Sequence, residues 1–162
     1  MGTVRLDFYD ENEESFDLVG LHTTVPFYRL AFFINTFLGF TFKREERDQD
    51  ITDSGTIVNY PVFKCIDNVH NLKLYLVPNK SWVQSSKVRS TGGLFDASEP
   101  EMIKTVLIKE HVRVDYFLKI EQEVRLLPID KMVRELSKIP AVISAYEIDS
   151  LQIKQKDYLI FE

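Results

Sequence analysis

The sequence predicts an α+β fold, a mixed, largely antiparallel sheet with two principal helices packed on one face. Three observations carry this expectation. Strand–helix–strand patterns occur twice, over 16–44 and 114–148, and a hairpin pattern lies between them. The chain has 162 residues, which fits one domain spanning 1–162. Hydrophobic residues make up 44%, with 12 Phe and 7 Tyr, enough to bury a core without disulfides or metal.

Phe16 to Thr23 reads as a strand entering a helix. Thr23 and Thr24 are capping candidates, and Pro26 suits a first helical turn. The helix spans about 25–38. Phe27, Leu30, Ala31, Phe32, Phe33, Ile34, Phe37 and Leu38 coat most of its circumference, so it needs partners on more than one side. Gly39 stops it, and Phe40 to Arg44 reads as the strand that leaves it. Residues 45–55 are polar and turn-rich. Thr56–Cys65 and Leu72–Val77 read as a hairpin around Asp67-Asn68, with Pro61 bending the first strand or placing it at an edge.

Residues 80–93 carry the fewest structural signals, and Trp82 among them reads as a buried anchor. The capping-box spacing Ser98-x-x-Glu101 predicts a short helix around 99–108. Alternation over 114–121 sets Val114, Tyr116, Leu118 and Ile120 on one face of a strand, with Asp115, Phe117, Lys119 and Glu121 on the other. Pro128 opens a second helix with its stripe at Ile129, Met132, Val133, Leu136 and Ile139. Asp130 with Arg134, and Lys131 with Glu135, are spaced for helical ion pairs. Val142–Ile148 is a strand, and Tyr158–Phe161 a possible final one. Each strand–helix–strand unit should run its two strands parallel.

The net charge is −5 and the charge is uneven. Residues 1–50 hold ten acids against five bases, while 51–162 hold fifteen of each. An acidic surface repels phosphate backbones, so general nucleic-acid binding is not expected. The single cysteine, Cys65, permits no intrachain disulfide, and a charged N-terminus lacks the apolar stretch of a secretory leader. The longest apolar stretch, Val25–Phe40, is interrupted by Pro26, Arg29, Asn35 and Thr36 and is short of the ~20 residues a membrane span needs. A cytoplasmic protein with no membrane association is the expectation.

No catalytic constellation stands out. His22, His70 and His111 have no metal-ligand spacing with each other or with Cys65, so neither a metal nor a cofactor is expected. Ser90-Thr91-Gly92-Gly93, with Lys80, Lys87 and Arg89 nearby, could cradle a phosphate, but a solvated loop of that composition is common. Glu110 and Asp115 complete the weak set of ligand candidates, alongside Lys87 and Arg89.

Ile108, Glu110, Val114, Asp115 and Tyr116 together resemble the motif of a bacterial family named for it, IPExxxVDY, with Lys109 where the family carries proline. The apolar helix after the first strand and the closing helix and strand are similar as well. The resemblance implies one soluble domain and supplies no mechanism, since the family has no assigned function. On the residues alone, Asp115 and Tyr116 point to opposite faces, Tyr116 to the core. Asp115 should accept backbone N–H groups at the strand start or pair with Arg113 or Lys119. Two function classes lead, ahead of a least-supported third, an enzyme using Asp115 or Glu110 as a base. The first is a non-enzymatic interaction or adaptor domain, paired as a homodimer or with another protein through helix 25–38. The second is a small-molecule-binding regulatory module, because 116–148 resembles half of an ACT-type domain. There, Leu126-Leu127-Pro128 stands where such domains carry a glycine-containing turn.

Overall fold

The computed structural model describes residues 15–84 and 101–161. Its centre is a six-stranded sheet built from β1 (Asp17–Thr23), β2 (Lys43–Arg44), β5 (Phe63–Asp67), β6 (Leu72–Pro78), β9 (Tyr116–Gln122) and β10 (Val142–Ile148). The strand order is β10-β1-β9-β6-β5-β2, and every neighbouring pair is antiparallel. Because β9 and β10 each run antiparallel to β1 between them, they run parallel to one another, as the strand–helix–strand pattern requires. The same alternation makes β1 and β2 parallel across the three strands that separate them.

Helices α1 (Phe27–Leu38) and α2 (Ile129–Ser137) form the connections and share one face of the sheet. Leu30, Ala31 and Ile34 from α1, and Met132 and Leu136 from α2, pack with Val19, Leu21, Leu74, Leu76, Leu118 and Ile120. Pro26 takes the N-cap position of α1 without a side-chain cap. The Thr23 hydroxyl instead accepts from Val25 N–H (3.2 Å) and donates to the Ala141 carbonyl (2.6 Å), so it ties β1 to the start of β10. Gly39 ends α1 at φ 73°, in the left-handed region that glycine enters without a Cβ penalty. Asn35, a polar interruption in the helix, holds the next segment: its amide accepts from Phe42 N–H (2.7 Å) and donates to the Phe42 carbonyl (3.1 Å).

The opposite face is also dry. Leu18, Tyr75, Val77, Phe117 and Ile148 meet a second layer that supplies Val58, Tyr60, Val62, Leu107, Ile108, Val114, Ile153 and Leu159. That layer holds two ribbons, β3 (Gln49–Asp53) with β4 (Thr56–Tyr60) and β7 (Lys80–Gln84) with β8 (Met102–Val106), followed by single turns of 3-10 helix at 150–152 and 156–159. Several sequence expectations change here. Residues 45–55 contain β3, which joins β4 through Ser54 and Gly55, both at positive φ as a type I′ turn requires. The interval 56–65 is two strands in different sheets, divided at Pro61. The helix expected around 99–108 is strand β8 over its described part, where pairing with β7 overrides the capping-box signal; Ser98 itself lies outside the described residues. Trp82 is 61% exposed, because in that ribbon Ser81 and Thr105 face the layer while Trp82 and its partner Lys104 face out. Val114 precedes β9 and joins the second core, so it does not share a face with Leu118 and Ile120. Residues 158–161 add no strand; Leu159 is buried and Phe161 packs on Tyr75. On α2 the Asp130–Arg134 pair forms at 3.8 Å, while Glu135 pairs with Lys138 at 2.7 Å.

Two core tyrosines couple this packing to pH. Burial pushes the Tyr60 phenol above its ordinary value of 10.0, against the opposing effect of its hydrogen bond to Thr105, and burial with the nearby Asp115 charge raises Tyr116 in the same direction. Below the unfolded-state value both are neutral in either state, and their contribution is fully present. Above it the unfolded chain ionises first, so stability is lost as pH rises through the raised folded values. Urea midpoints from pH 8 to 11 should therefore fall above about pH 10. Tyr60→Phe should lower the neutral-pH stability by about 1 kcal/mol through the lost Thr105 bond, yet decline less steeply in alkali. An equally steep decline in Tyr60→Phe would show that Tyr60 is not a source of the alkaline loss.

Candidate functional site

The motif residues gather where β6 ends and β9 begins. Asn79, the residue after β6, is fully buried, and each of its polar atoms is hydrogen-bonded there. Its backbone N–H donates to the Asp115 carbonyl (2.9 Å), and its own carbonyl accepts from Leu107 N–H (2.7 Å). Its side-chain oxygen accepts from Ile108 N–H (2.9 Å), and its side-chain NH2 donates to the His111 (2.7 Å) and Val114 (3.0 Å) carbonyls. One amide thus closes the loop 107–115 around itself. Ile108 and Val114 are carried into the second core by that closure.

Asp115 lies at the rim of the same junction. Its backbone N–H donates to the Leu21 carbonyl (3.0 Å), which extends the β1–β9 pairing by one residue. One carboxylate oxygen accepts from Thr23 N–H (3.1 Å) and sits 3.7 Å from His22 Nδ1; the other accepts from Lys80 Nζ at 2.6 Å. The expected backbone N–H partner is therefore found, but the cation is Lys80 rather than Arg113 or Lys119. His22 Nε2 is in turn 2.9 Å from the Tyr146 hydroxyl, with the two rings stacked 5.5 Å apart. At 3.7 Å the carboxylate and imidazole are at an ion-pair distance and share no hydrogen bond, so the three groups form no continuous proton relay, and Lys80 holds the other carboxylate oxygen.

Tyr116 turns to the helix face, as expected. Its ring stacks on Phe27 at 5.4 Å, and its hydroxyl donates to the Val25 carbonyl at 3.2 Å. Glu110 is exposed and does not approach Asp115; its carboxylate accepts from Lys154 N–H (3.3 Å) in the C-terminal segment. Lys87 and Arg89 lie outside the described residues. Among the described residues, no group of three His, Cys, Asp or Glu side chains is placed to hold a metal ion.

Sequence reasoning missed the partners of Asp115. His22 and Tyr146 are separated by 124 residues and Lys80 and Asp115 by 35, so no local spacing marks them. It also missed a cavity of about 920 Å³ at the other end of β1, on the face away from the helices, which has Lys119 in its wall. Lys119 is only 2% exposed. Its ammonium donates to Glu121 at 2.5 Å and lies over the rings of Phe16 (4.8 Å), Tyr75 (5.6 Å) and Phe161 (5.7 Å). Strand alternation places Lys119 on one face with Phe117, and the second layer buries that face as core.

No protein-family model, curated protein or solved structure matches the chain.

The contacts of the motif imply a ranking of three substitutions by urea midpoint. Asn79→Ala strands the Ile108 N–H and the Val114 carbonyl and takes one of two donors from the His111 carbonyl, and should cost about 3 kcal/mol. Tyr116→Ala removes a half-buried ring from the Phe27 stack and should cost about 3 kcal/mol. Asp115→Asn keeps an acceptor for Thr23 and loses the partly solvated Lys80 pair, so about 1 kcal/mol is expected. A midpoint for Asp115→Asn at or above wild type would contradict a structural role and mark the carboxylate as held there for function.

Proposed function

We propose that the chain is a non-catalytic interaction or adaptor domain of the IPExxxVDY type, which works in the cytoplasm and pairs with a second copy of itself through the outer face of α1. One observation carries this reading. The inner half of α1 is spent on the sheet through Leu30, Ala31 and Ile34, yet Tyr28, Phe32 and Phe37 remain 67%, 63% and 54% exposed. Phe33 lies between them, with the Arg29 guanidinium 5.7 Å above its ring. Three such exposed aromatic side chains on one short helix are more than a monomer usually leaves bare, and aromatic residues are enriched at contact sites. Arg29 is the helix's one charged residue, so two copies can meet there without a large charge penalty. The motif supports a non-catalytic role, because Asn79, Asp115 and Tyr116 are bonded to the protein's own backbone. Among the described residues no helix is long and apolar enough to cross a membrane. The acidic net charge argues against general nucleic-acid binding.

The cavity beside Lys119 favours a second reading, the small-molecule-binding regulatory module. The β9–α2–β10 succession supplies the strand, helix and strand of the ACT-like half.

The pairing is tested by sedimentation across a wide concentration range. A monomer–dimer equilibrium is expected, and Phe32→Asp should weaken it by at least about tenfold, 1.4 kcal/mol. A monomer at every concentration would refute the pairing, as would a dimer unaffected by Phe32→Asp.

A further inference from the structure

We propose that the outer edge of β10 accepts an extended segment of a partner protein as a further strand of the central sheet, with an apolar side chain beside Tyr146 and a basic one beside Glu147. The site gives the interaction-domain reading, on which it rests, the chemistry of its partner, and it does not require pairing through α1. Three observations lead to it.

The first is a contrast between the two edges of the sheet. An edge strand carries a row of unpaired N–H and C=O groups, and native proteins blunt it with short strands, Lys or Pro. One edge is closed in that way, because β2 has two residues and they are Lys43 and Arg44. The other edge is β10, seven residues without Lys, Arg or Pro. Its inner side is bonded to β1, and no described strand pairs with its outer side. In an antiparallel ladder alternate residues turn their N–H and C=O outward. Only another extended backbone matches such a row, so the edge sets the conformation of its occupant.

The second is what the edge presents on either side. Ala145 and Glu147 pair with Leu21 and Val19, which face the helices. Ser144 and Tyr146 pair with His22 and Gly20, and so lie on the opposite face with Ile148. The Tyr146 ring is 40% exposed and braced on His22. Glu147 is exposed and is the only charge on the strand. Cross-strand neighbours select one another by side chain. An aromatic or β-branched residue fits beside Tyr146, and Lys or Arg beside Glu147.

The third separates a partner segment from a second copy. Thr23 pairs with Val142 and His22 with Ser144, so Ile143 is left over as a bulge, and uninterrupted pairing spans 144–148. Two copies related by a two-fold axis through Tyr146 keep to that span, but Glu147 then lies diagonally across from its own mate. An axis through Glu147 sets the two acids directly opposite. An axis nearer the start of β10 parts the acids and runs the ladder across the bulge. A foreign segment with a base at that place avoids both penalties.

The probe is a displayed library of random linear peptides about twelve residues long, selected on the full chain and resynthesised. Enriched sequences should alternate apolar and polar residues and share Lys or Arg at one place. Amide exchange by NMR then reads the docking. The outward-facing amides among 144–148, open in the free chain, should exchange at least about tenfold more slowly with peptide bound. Two forms of the peptide, N-methylated at alternate amides along one edge or the other, should differ: one loses binding about tenfold or more and the other keeps it. Glu147→Lys should weaken the basic peptide about fivefold, and a peptide with Glu in place of its base should recover binding. The proposal is overturned if no peptide is enriched, if both N-methylated forms bind alike, or if the β10 amides are unaffected. Protection of those amides that grows with protein concentration in the absence of peptide would assign the edge to a second copy. Protection at every concentration would show the edge already covered, and either result overturns the proposal. Sedimentation reports the pairing through α1 separately, so failure of one result leaves the other standing.

Discussion

The side-chain amide of Asn79 ties together two layers whose contact is otherwise largely apolar. It stands where β6 leaves the central sheet for the β7 ribbon, and the chain returns past it at 107–115 before entering β9 as the next strand over. Five hydrogen bonds converge on one buried residue at that crossing. Hydrogen bonds in such a setting stabilise modestly when made and cost heavily when broken, so the crossing acts as a fixed joint. Leu107, Ile108 and Val114 reach the second core because the joint aims them there, and Asp115 reaches the end of β1 for the same reason.

A sheet that is dry on both faces imposes a second constraint. Leu118 faces the helices and Phe117 faces the ribbons, so β9 has no solvent side to hold a polar residue. Each polar group that remains inside must bring its partner with it. Thr23 binds the Ala141 carbonyl, Asn79 binds the motif loop, and Lys119 takes Glu121 and a ring of aromatics. Among the described residues no buried side-chain nitrogen or oxygen lacks a partner. Thr23 and Asn79 are satisfied entirely by backbone. Lys119 alone of the three stands in the wall of a cavity.

The elements legible in the sequence are those that bury a full periodic stripe. Helix α1 with its Gly39 stop, strand β9 and helix α2 all do so. The ribbons of the second layer do not. In β3 only Ile51 is buried, and in β8 Met102 and Ile103 are both exposed, so neither displays an alternation strong enough to outweigh a capping-box or loop composition. These strands exist because a partner strand and a waiting core face receive them, and both are remote in sequence. The site was legible in part for the same reason. The motif 108–116 stands out as a local pattern, and Asp115 at the strand start could be read as an acceptor for backbone. His22, Lys80 and Tyr146 reach it only through tertiary structure, and the cavity is assembled from both ends of the described chain.

The account stands or falls on whether the Asn79 joint opens only when the whole molecule unfolds. Native-state hydrogen exchange reads this directly, through the amides of Leu107 and Ile108, which donate to Asn79, and of Asp115, which donates to Leu21. Their opening free energies should equal those of Leu76 and Leu118 in the central sheet and rise and fall with global stability. Exchange of Leu107 and Ile108 through a low-energy local opening, while Leu76 and Leu118 stay protected, would contradict the claim and leave the motif loop a separable element resting on the sheet.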